Sequence, residues 1–388
     1  MIVGAGTAGC VLAARLSEID DARVLLLEAG AQNPQDAMAV PSAWRTLLDT
    51  SSTWGDISTV QARTGMTMPL PRGKALGGSS SINGMSFLRG HRSSYDAWAA
   101  QGAEGWEFDD LLPYMRRSEK AEHRDPALRG QGGPLTVGIQ PEPNPLVLAC
   151  YEAAAELGYA QVNDFSGGLE TGFGWCDNNV VNGKRQSAAD AYLRPVMGRT
   201  NLDVITDALV LRLRIVHSRS VGVDYTRHGE IVSVTAGREV VVSAGAIGSA
   251  HLLLCSGVGP AAHLRESGVE VALDLPGVGG NLHDHPLSTL VYTAKRTVPE
   301  VSTNPPGAPS GLVRSDPAED IPNLQIIFVS APTRASRLTG PARGYCHRVF
   351  RSESAQPWII EGTQVEFRCD IHDCKRLGQA VAHDGHFC

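Results

Sequence analysis

No stretch of this 388-residue chain is long and apolar enough to span a bilayer; runs such as Leu252-Leu253-Leu254 fall far short of the roughly 18 residues required. Long basic runs are missing too. With 34 Lys and Arg against 41 Asp and Glu, the net charge is -7, so the electrostatic footprint of a nucleic-acid binder is not there. No secretory leader opens the sequence, because the first residues enter a glycine turn at once, and the expected location is therefore the cytoplasm. Charged residues make up only 19% and hydrophobic ones 42%, which excludes an extended disordered chain. At this length two or three domains are expected. Cysteine is sparse through most of the chain: Cys10, Cys150, Cys176 and Cys255 are isolated among small or apolar residues and read as buried free thiols.

What is present is concentrated first in Met1 to Gly30. Met1-Ile2-Val3 feeds into Gly4-Ala5-Gly6-Thr7-Ala8-Gly9, a helical pattern follows from Cys10, and a second apolar strand, Arg23 to Leu27, ends on Glu28. Strand, glycine turn, helix, strand and acid in this order form a dinucleotide-binding fingerprint. Gly4 permits the turn, Gly6 allows backbone to approach a pyrophosphate, and Gly9 allows close helix packing. The phosphates then meet free helix N–H groups, and Glu28 offers acceptors to a ribose while repelling a 2′-phosphate. The strand before the turn spans only about 10 Å against roughly 17–20 Å for a typical strand, so the chain reads as clipped at its start.

A second concentration lies between Pro71 and Met85, where four glycines and three serines occur in fifteen residues. Unhindered N–H groups and hydroxyls of this kind suit a phosphate or the edge of a ring. Together with Ser86 to Gly90 and His91 to Trp98, this stretch resembles the first signature of the glucose-methanol-choline (GMC) oxidoreductases. The stretch Gly245 to Gly259 resembles the second signature, with Ala250 where Pro or Ser is expected, and Pro276 to Pro286 matches a further recurrent stretch. The resemblance extends to about Tyr345.

It implies an α/β chain, α+β overall, with a Rossmann-like FAD-binding domain interleaved with an antiparallel-sheet substrate domain. The implied division is 1–137 and 201–286 for the FAD-binding domain, 138–200 and 287–345 for the substrate domain, and 346–388 as a divergent tail that need not fold. The implied FAD contacts are Gly4, Gly6, Thr7, Ala8, Gly9, Glu28, Ala29, Ala75, Ser79, Asn83, Gly84 and Met85, with the main chain of Val210 against the adenine. The implied reaction oxidises a small-molecule alcohol by hydride transfer to flavin N5, with oxygen or another acceptor taking the electrons. An inactive FAD-binding fragment and a hydroxynitrile lyase of the same family are the alternatives.

The family's base, a histidine near the C-terminus, is not found. After Tyr345 the composition changes, and half of the eight cysteines fall in the last 43 residues, with Cys369, His372, Cys374, His383, His386 and Cys388 close together. A zinc-binding tail and a shifted reading frame compete, and the irregular spacing favours the second. His283, Asp284 and His285 alternate on a turn and are read as local hydrogen-bonding groups, not a metal site. Within the body, Trp106, Phe108 and Tyr114 are expected to form one buried face. Asn144 to Gly158 is expected to be a helix with Leu146, Leu148, Tyr151, Ala155 and Leu157 inward.

Overall fold

The structure, a computed structural model, describes residues 1–32, 35–61, 65–139, 143–168, 171–285, 287–296, 309–331, 340, 344–351, 359–361 and 364–366, the side chains of 344, 351 and the last two segments excepted. Four short strands, Ile2–Val3 (β1), Val24–Leu27 (β2), Leu202–Ile205 (β3) and Val241–Val242 (β4), make a parallel sheet in the order β3-β2-β1-β4. Helix α1 (Thr7–Leu16) lies against it and buries Gly9, Cys10, Ala13 and Ala14. These small side chains let the helix approach Ile2 and Leu26, both fully buried. Each such apolar side chain contributes roughly 1.5–3 kcal/mol on burial.

The register decides where the sheet ends. Val3 pairs with Leu27 and Val242, and Ile205 pairs with Leu27, so all four strands finish at one level. The next residues, Gly4, Glu28, Thr206 and Ser243, therefore form a rim along the carboxyl edge. Ligands of doubly wound sheets bind outside that edge.

A second sheet is built differently. Its six strands run in the order Leu287–Thr293, Gly344–Arg351, Leu324–Val329, Pro309–Val313, Gly172–Trp175 and Gln161–Val162, antiparallel except for the last pair. Helix α2 (Pro145–Glu156) covers one face, packing Val147 and Ala154 on Phe173, Leu324, Phe328 and Val349. Asn144 caps this helix by accepting the Leu146 N–H at 3.0 Å.

Some expectations change here. The strand Gly344–Arg351 runs across residue 345 and pairs on both sides, so the folded body continues into the segment that composition marks as tail. The dense cysteines and histidines from Cys369 onward lie outside the described residues. Phe108 is fully buried, but Trp106 is 53% and Tyr114 66% exposed. Trp106 instead meets Trp98 edge to face, with both rings partly in solvent. In α2 Val147 and Ala154 are buried and Cys150 and Tyr151 pack against the same cluster, so Tyr151 is inward as expected, whereas Leu157 is exposed. Before β3 the chain makes a wide helical turn at Ala189–Leu193 and a tight one at Arg194–Val196.

Candidate functional site

The glycine turn sits on the rim of the parallel sheet. Gly4 has φ +95°, and a methyl group on it would lie 2.7 Å from the Ser243 carbonyl oxygen. A methyl group on Gly9 would lie 1.9 Å from the Gly4 oxygen. Packing within the chain thus accounts for both. Gly6 differs, since a methyl group there would meet only the Ser243 oxygen at 3.9 Å. The space in front of it is open.

Ser243 closes the turn from β4, its hydroxyl donating to the Val3 and Gly4 carbonyls at 3.0 Å each. Glu28 closes it from β2. One carboxylate oxygen accepts the Ala5 N–H and the other the Gly30 N–H, both at 2.8 Å. Burial pushes the Glu28 carboxyl upward, and hydrogen bonds from Gly30 and Ala5 counter it. The side chain is only 5% exposed, so its first task is to staple two turns together. Each oxygen keeps a second lone pair for a hydroxyl donor.

The serine loop meets this rim directly. The Gly77 N–H donates to the Ala5 carbonyl at 2.7 Å, and a methyl group on Gly78 would come within 2.7 Å of the Gly6 Cα. Gly30 packs on the Lys74 and Ala75 backbone. Ala29 and Val210 lie on the same flank, where the Ala208 N–H donates to the Glu28 carbonyl at 2.8 Å. Thr7 and Ala8, in the first turn of α1, are exposed, and no side chain caps that helix end nor does an acidic residue stand in its first turn. Free N–H groups and the helix dipole there favour an anion.

Of the residues expected further along the loop, Ala75 and Met85 are buried while Ser79 and Asn83 are exposed. The Ser79 hydroxyl accepts the Gly73 N–H at 3.1 Å and so tightens the loop. A methyl group on Gly84 would meet nothing within 4 Å. Met85 has φ +61°, and its carbonyl accepts the Asn179 N–H at 3.2 Å and the Asn178 side-chain amide at 3.4 Å. Asn178 adjoins Asp177, a member of a buried ionic cluster. There Arg129, with no exposed surface, contacts Glu119 at 2.7 Å, Asp164 at 2.7 Å and Asp177 at 2.9 Å, and Arg89 contacts Glu119 at 2.6 Å. Burial opposes the Arg129 charge, but the hydrogen bond to Glu119 and the three carboxylates together hold its pKa above the ordinary arginine value. Arg89 follows the serine loop in sequence, so this cluster fixes the loop's exit.

The structure does not bring the histidines together. His91 begins a helix by accepting the Ser93 N–H. His251 lies 3.6 Å from Cys255, and His283 contacts the Asn281 side chain at 2.7 Å. His347, in the sheet strand Gly344–Arg351, is packed among Tyr292, Phe328 and Tyr345 with the Cys150 sulfur 3.9 Å from Nε2, and burial lowers its pKa to about 4. None of these is assigned as a catalytic base. Among the described residues no cluster of three metal-ligating side chains occurs, and no helix is long and apolar enough to cross a membrane.

Motif and spacing do not mark Ser243 as a turn lock, the Asn178–Asn179 support of Met85, or Arg185, which donates to Asn83. Ser243, next after an apolar strand, was the one with a visible signal.

A parallel sheet with a glycine-turn helix, joined to an antiparallel sheet through a serine loop, defines a dinucleotide-dependent oxidoreductase fold. The GMC oxidoreductase family profile matches residues 1–287, and the chain belongs to that family. The chain is 36% identical to human mitochondrial choline dehydrogenase, covering 98% of this chain and 72% of that protein. It is 41% identical to the oxygen-dependent choline dehydrogenase of Rhizobium meliloti (strain 1021) over 74% of its own length and 52% of the relative's. The chain thus spans about half the length of the bacterial relatives it matches. Among solved structures, pyridoxine 4-oxidase from Mesorbium loti superposes with a TM-score of 0.93 at 31% identity, over all of this chain and 80% of the other. A formate oxidase variant from Aspergillus oryzae, studied for its FAD modification, shares the fold at 23% identity and a TM-score of 0.85, over 99% of this chain and 79% of that one. FAD is the cofactor that this family membership indicates.

Proposed function

We propose that the chain carries the FAD site and part of the substrate domain of an oxidoreductase acting on CH–OH groups, which converts an alcohol to a carbonyl compound. The observation that carries this reading is the junction of the uncapped α1 terminus with the Gly77–Ser80 loop at the carboxyl edge of the parallel sheet. When bound, FAD supplies the two-electron acceptor for the hydride. The Gly6, Thr7, Ala8 and Gly9 backbone holds the pyrophosphate, with Gly4 shaping the turn. Glu28 and Ala29 face the ribose, and the Val210 main chain faces the adenine. Ala75, Ser79, Asn83, Gly84 and Met85 orient the flavin. Those assignments rest on open space before Gly6 and Gly84 and on the exposure of Thr7, Ala8, Ser79 and Asn83.

The division into FAD-binding segments 1–137 and 201–286 and substrate-domain segments 138–200 and 287–345 belongs to the same proposal, with the strand through Arg351 added to the latter. The named relatives are dehydrogenases and oxidases, so the lyase alternative is not carried forward. Oxygen and another redox partner are both retained as acceptors, and oxygen consumption separates them. The cytoplasm is the proposed compartment, supported by the buried, unbridged thiols of Cys10 and Cys176, and cell fractionation checks it. The test of the reaction is anaerobic addition of primary and secondary alcohols, choline and pyridoxine among them, to the flavin-loaded chain. Bleaching of the flavin with formation of aldehyde or ketone is expected. Persistence of the oxidised spectrum with every alcohol counts against turnover by this chain.

A further inference from the structure

Arg185 is 5% exposed and lies beneath the serine loop. Its Nε donates to the Met38 carbonyl at 2.8 Å, and one terminal nitrogen donates to the Ser80 carbonyl at 3.1 Å and the Asn83 Oδ1 at 2.9 Å. The other terminal nitrogen is buried with no hydrogen-bond partner. Among the described residues no carboxylate is in ion-pair contact with Arg185; Asp190 acts on it only from a distance, and burial pulls its pKa down to about 10. Arg129, by contrast, has three carboxylates, so the fold readily supplies counter-charges where a cation is only structural.

Asn83 shows what the arrangement does. Its Oδ1 accepts from both Arg185 and the Met85 N–H, at 2.9 and 3.1 Å. Two donors on one atom assign it as the oxygen and turn the NH2 group the other way, toward the exposed side of the loop. Met85 is held in its left-handed conformation by the same bond and by Asn179.

We propose that Arg185 is the positioning residue of the flavin site: it locks the Asn83 amide with its donor outward and keeps an uncompensated positive charge behind the loop that meets the ring. The inference rests on the FAD reading above, because it takes Asn83 to lie at the ring edge. A fixed donor and a positive field there favour the ring edge when it gains negative charge on reduction. Arg185 does not touch the reacting atoms. Its effect passes through Asn83 and through its field.

Three variants of the 388-residue chain test this, each loaded with FAD and followed by fluorescence quenching, far-UV circular dichroism, thermal melting and the reduction potential of the bound flavin. Arg185→Gln is expected to bind FAD at least tenfold more weakly. Its two-electron reduction equilibrium should fall at least tenfold, a shift of about 30 mV to more negative potential. Arg185→Lys is expected to restore most of the potential while affinity stays reduced, since it keeps the charge and loses the fork of donors. Asn83→Asp keeps acceptors for Arg185 and Met85 but removes the outward donor and neutralises the cation. It is expected to melt with the parent and to show the lowered potential, which holds the test open even where Arg185→Gln loses its fold. Affinity and potential within twofold of the parent's equilibrium constants in Arg185→Gln, or an unmoved potential in Asn83→Asp, overturn the role of Arg185 alone. A parent chain that takes up no FAD overturns the flavin reading itself, and the role of Arg185 with it.

Discussion

Replacing Glu119 by Gln changes no shape and removes one negative charge from a cluster in which Arg89, Arg124 and Arg129 meet Glu119, Asp164 and Asp177. The Glu119 carboxylate accepts from Arg89 at 2.6 Å, from Arg129 at 2.7 and 3.1 Å, and from the Gly130 N–H at 3.0 Å. Every one of these partners is a donor. A Gln amide offers one oxygen in place of two and turns its own NH2 toward an arginine. Because Glu119 and Arg129 have no exposed surface, water cannot repair the loss. Leaving a buried charge without its partner costs about 3–5 kcal/mol. With an unfolding entropy of roughly 2.1 cal/mol/K per residue, a chain of this length loses about 4–6 °C in melting temperature. Calorimetry of parent and Glu119→Gln measures this directly. Glu18→Gln is the control, since its i,i+3 pair with Arg15 is solvent-exposed, and pairs of that kind are worth well under 1 kcal/mol. A Glu119→Gln protein that melts within about 1 °C of the parent refutes the view that this cluster holds the loop's exit.

Other outcomes follow from single sites. Gly9→Ala places a methyl group 1.9 Å from the Gly4 oxygen and should abolish FAD uptake by prying α1 from the turn; uptake equal to the parent would show that the turn adapts. His347 has a folded pKa lowered to about 4 by burial, against an ordinary value near 6.5, so the unfolded chain binds more protons between those values. Stability should therefore fall as pH drops from about 6.5 toward 4, by roughly 3 kcal/mol, and urea melts of His347→Leu should lack that share of the pH dependence. Burial pushes the Cys10 and Cys176 thiols up to about 12. Alkylation of the native protein with peptide mapping should label exposed Cys255 before either of them, and equal rates would contradict the described burial.

The cofactor half of the molecule was legible because its features are local. Gly4, Gly6 and Gly9 with Glu28 at fixed spacing specify a strand, turn and helix whose contacts lie within thirty residues of one another. The Arg72–Gly90 stretch was legible as a signature, although its supports were not. Ser243, Asn178, Asn179 and Arg185 reach it across long separations, and nothing in the type or spacing of a buried arginine announces which loop it serves. Helix faces were harder. Trp106 and Tyr114 fit an apolar stripe with Phe108, yet only Phe108 is buried, since periodicity states which residues share a face and not what packs on it. The strand Gly344–Arg351 was hidden because the cysteine-rich composition after it dominated the reading of residues 346–388, whereas pairing on both sides is a long-range property.

Absorption and fluorescence titration of the purified chain with FAD shows whether the glycine turn and the serine loop form one flavin site. Saturable uptake of one FAD per chain is expected, with the two bands of an oxidised flavin, weakened by substitution at Gly9 and at Arg185. A folded chain that stays colourless at every FAD concentration contradicts this, because the uncapped helix end and the serine loop would then lie together for a purpose other than binding this cofactor.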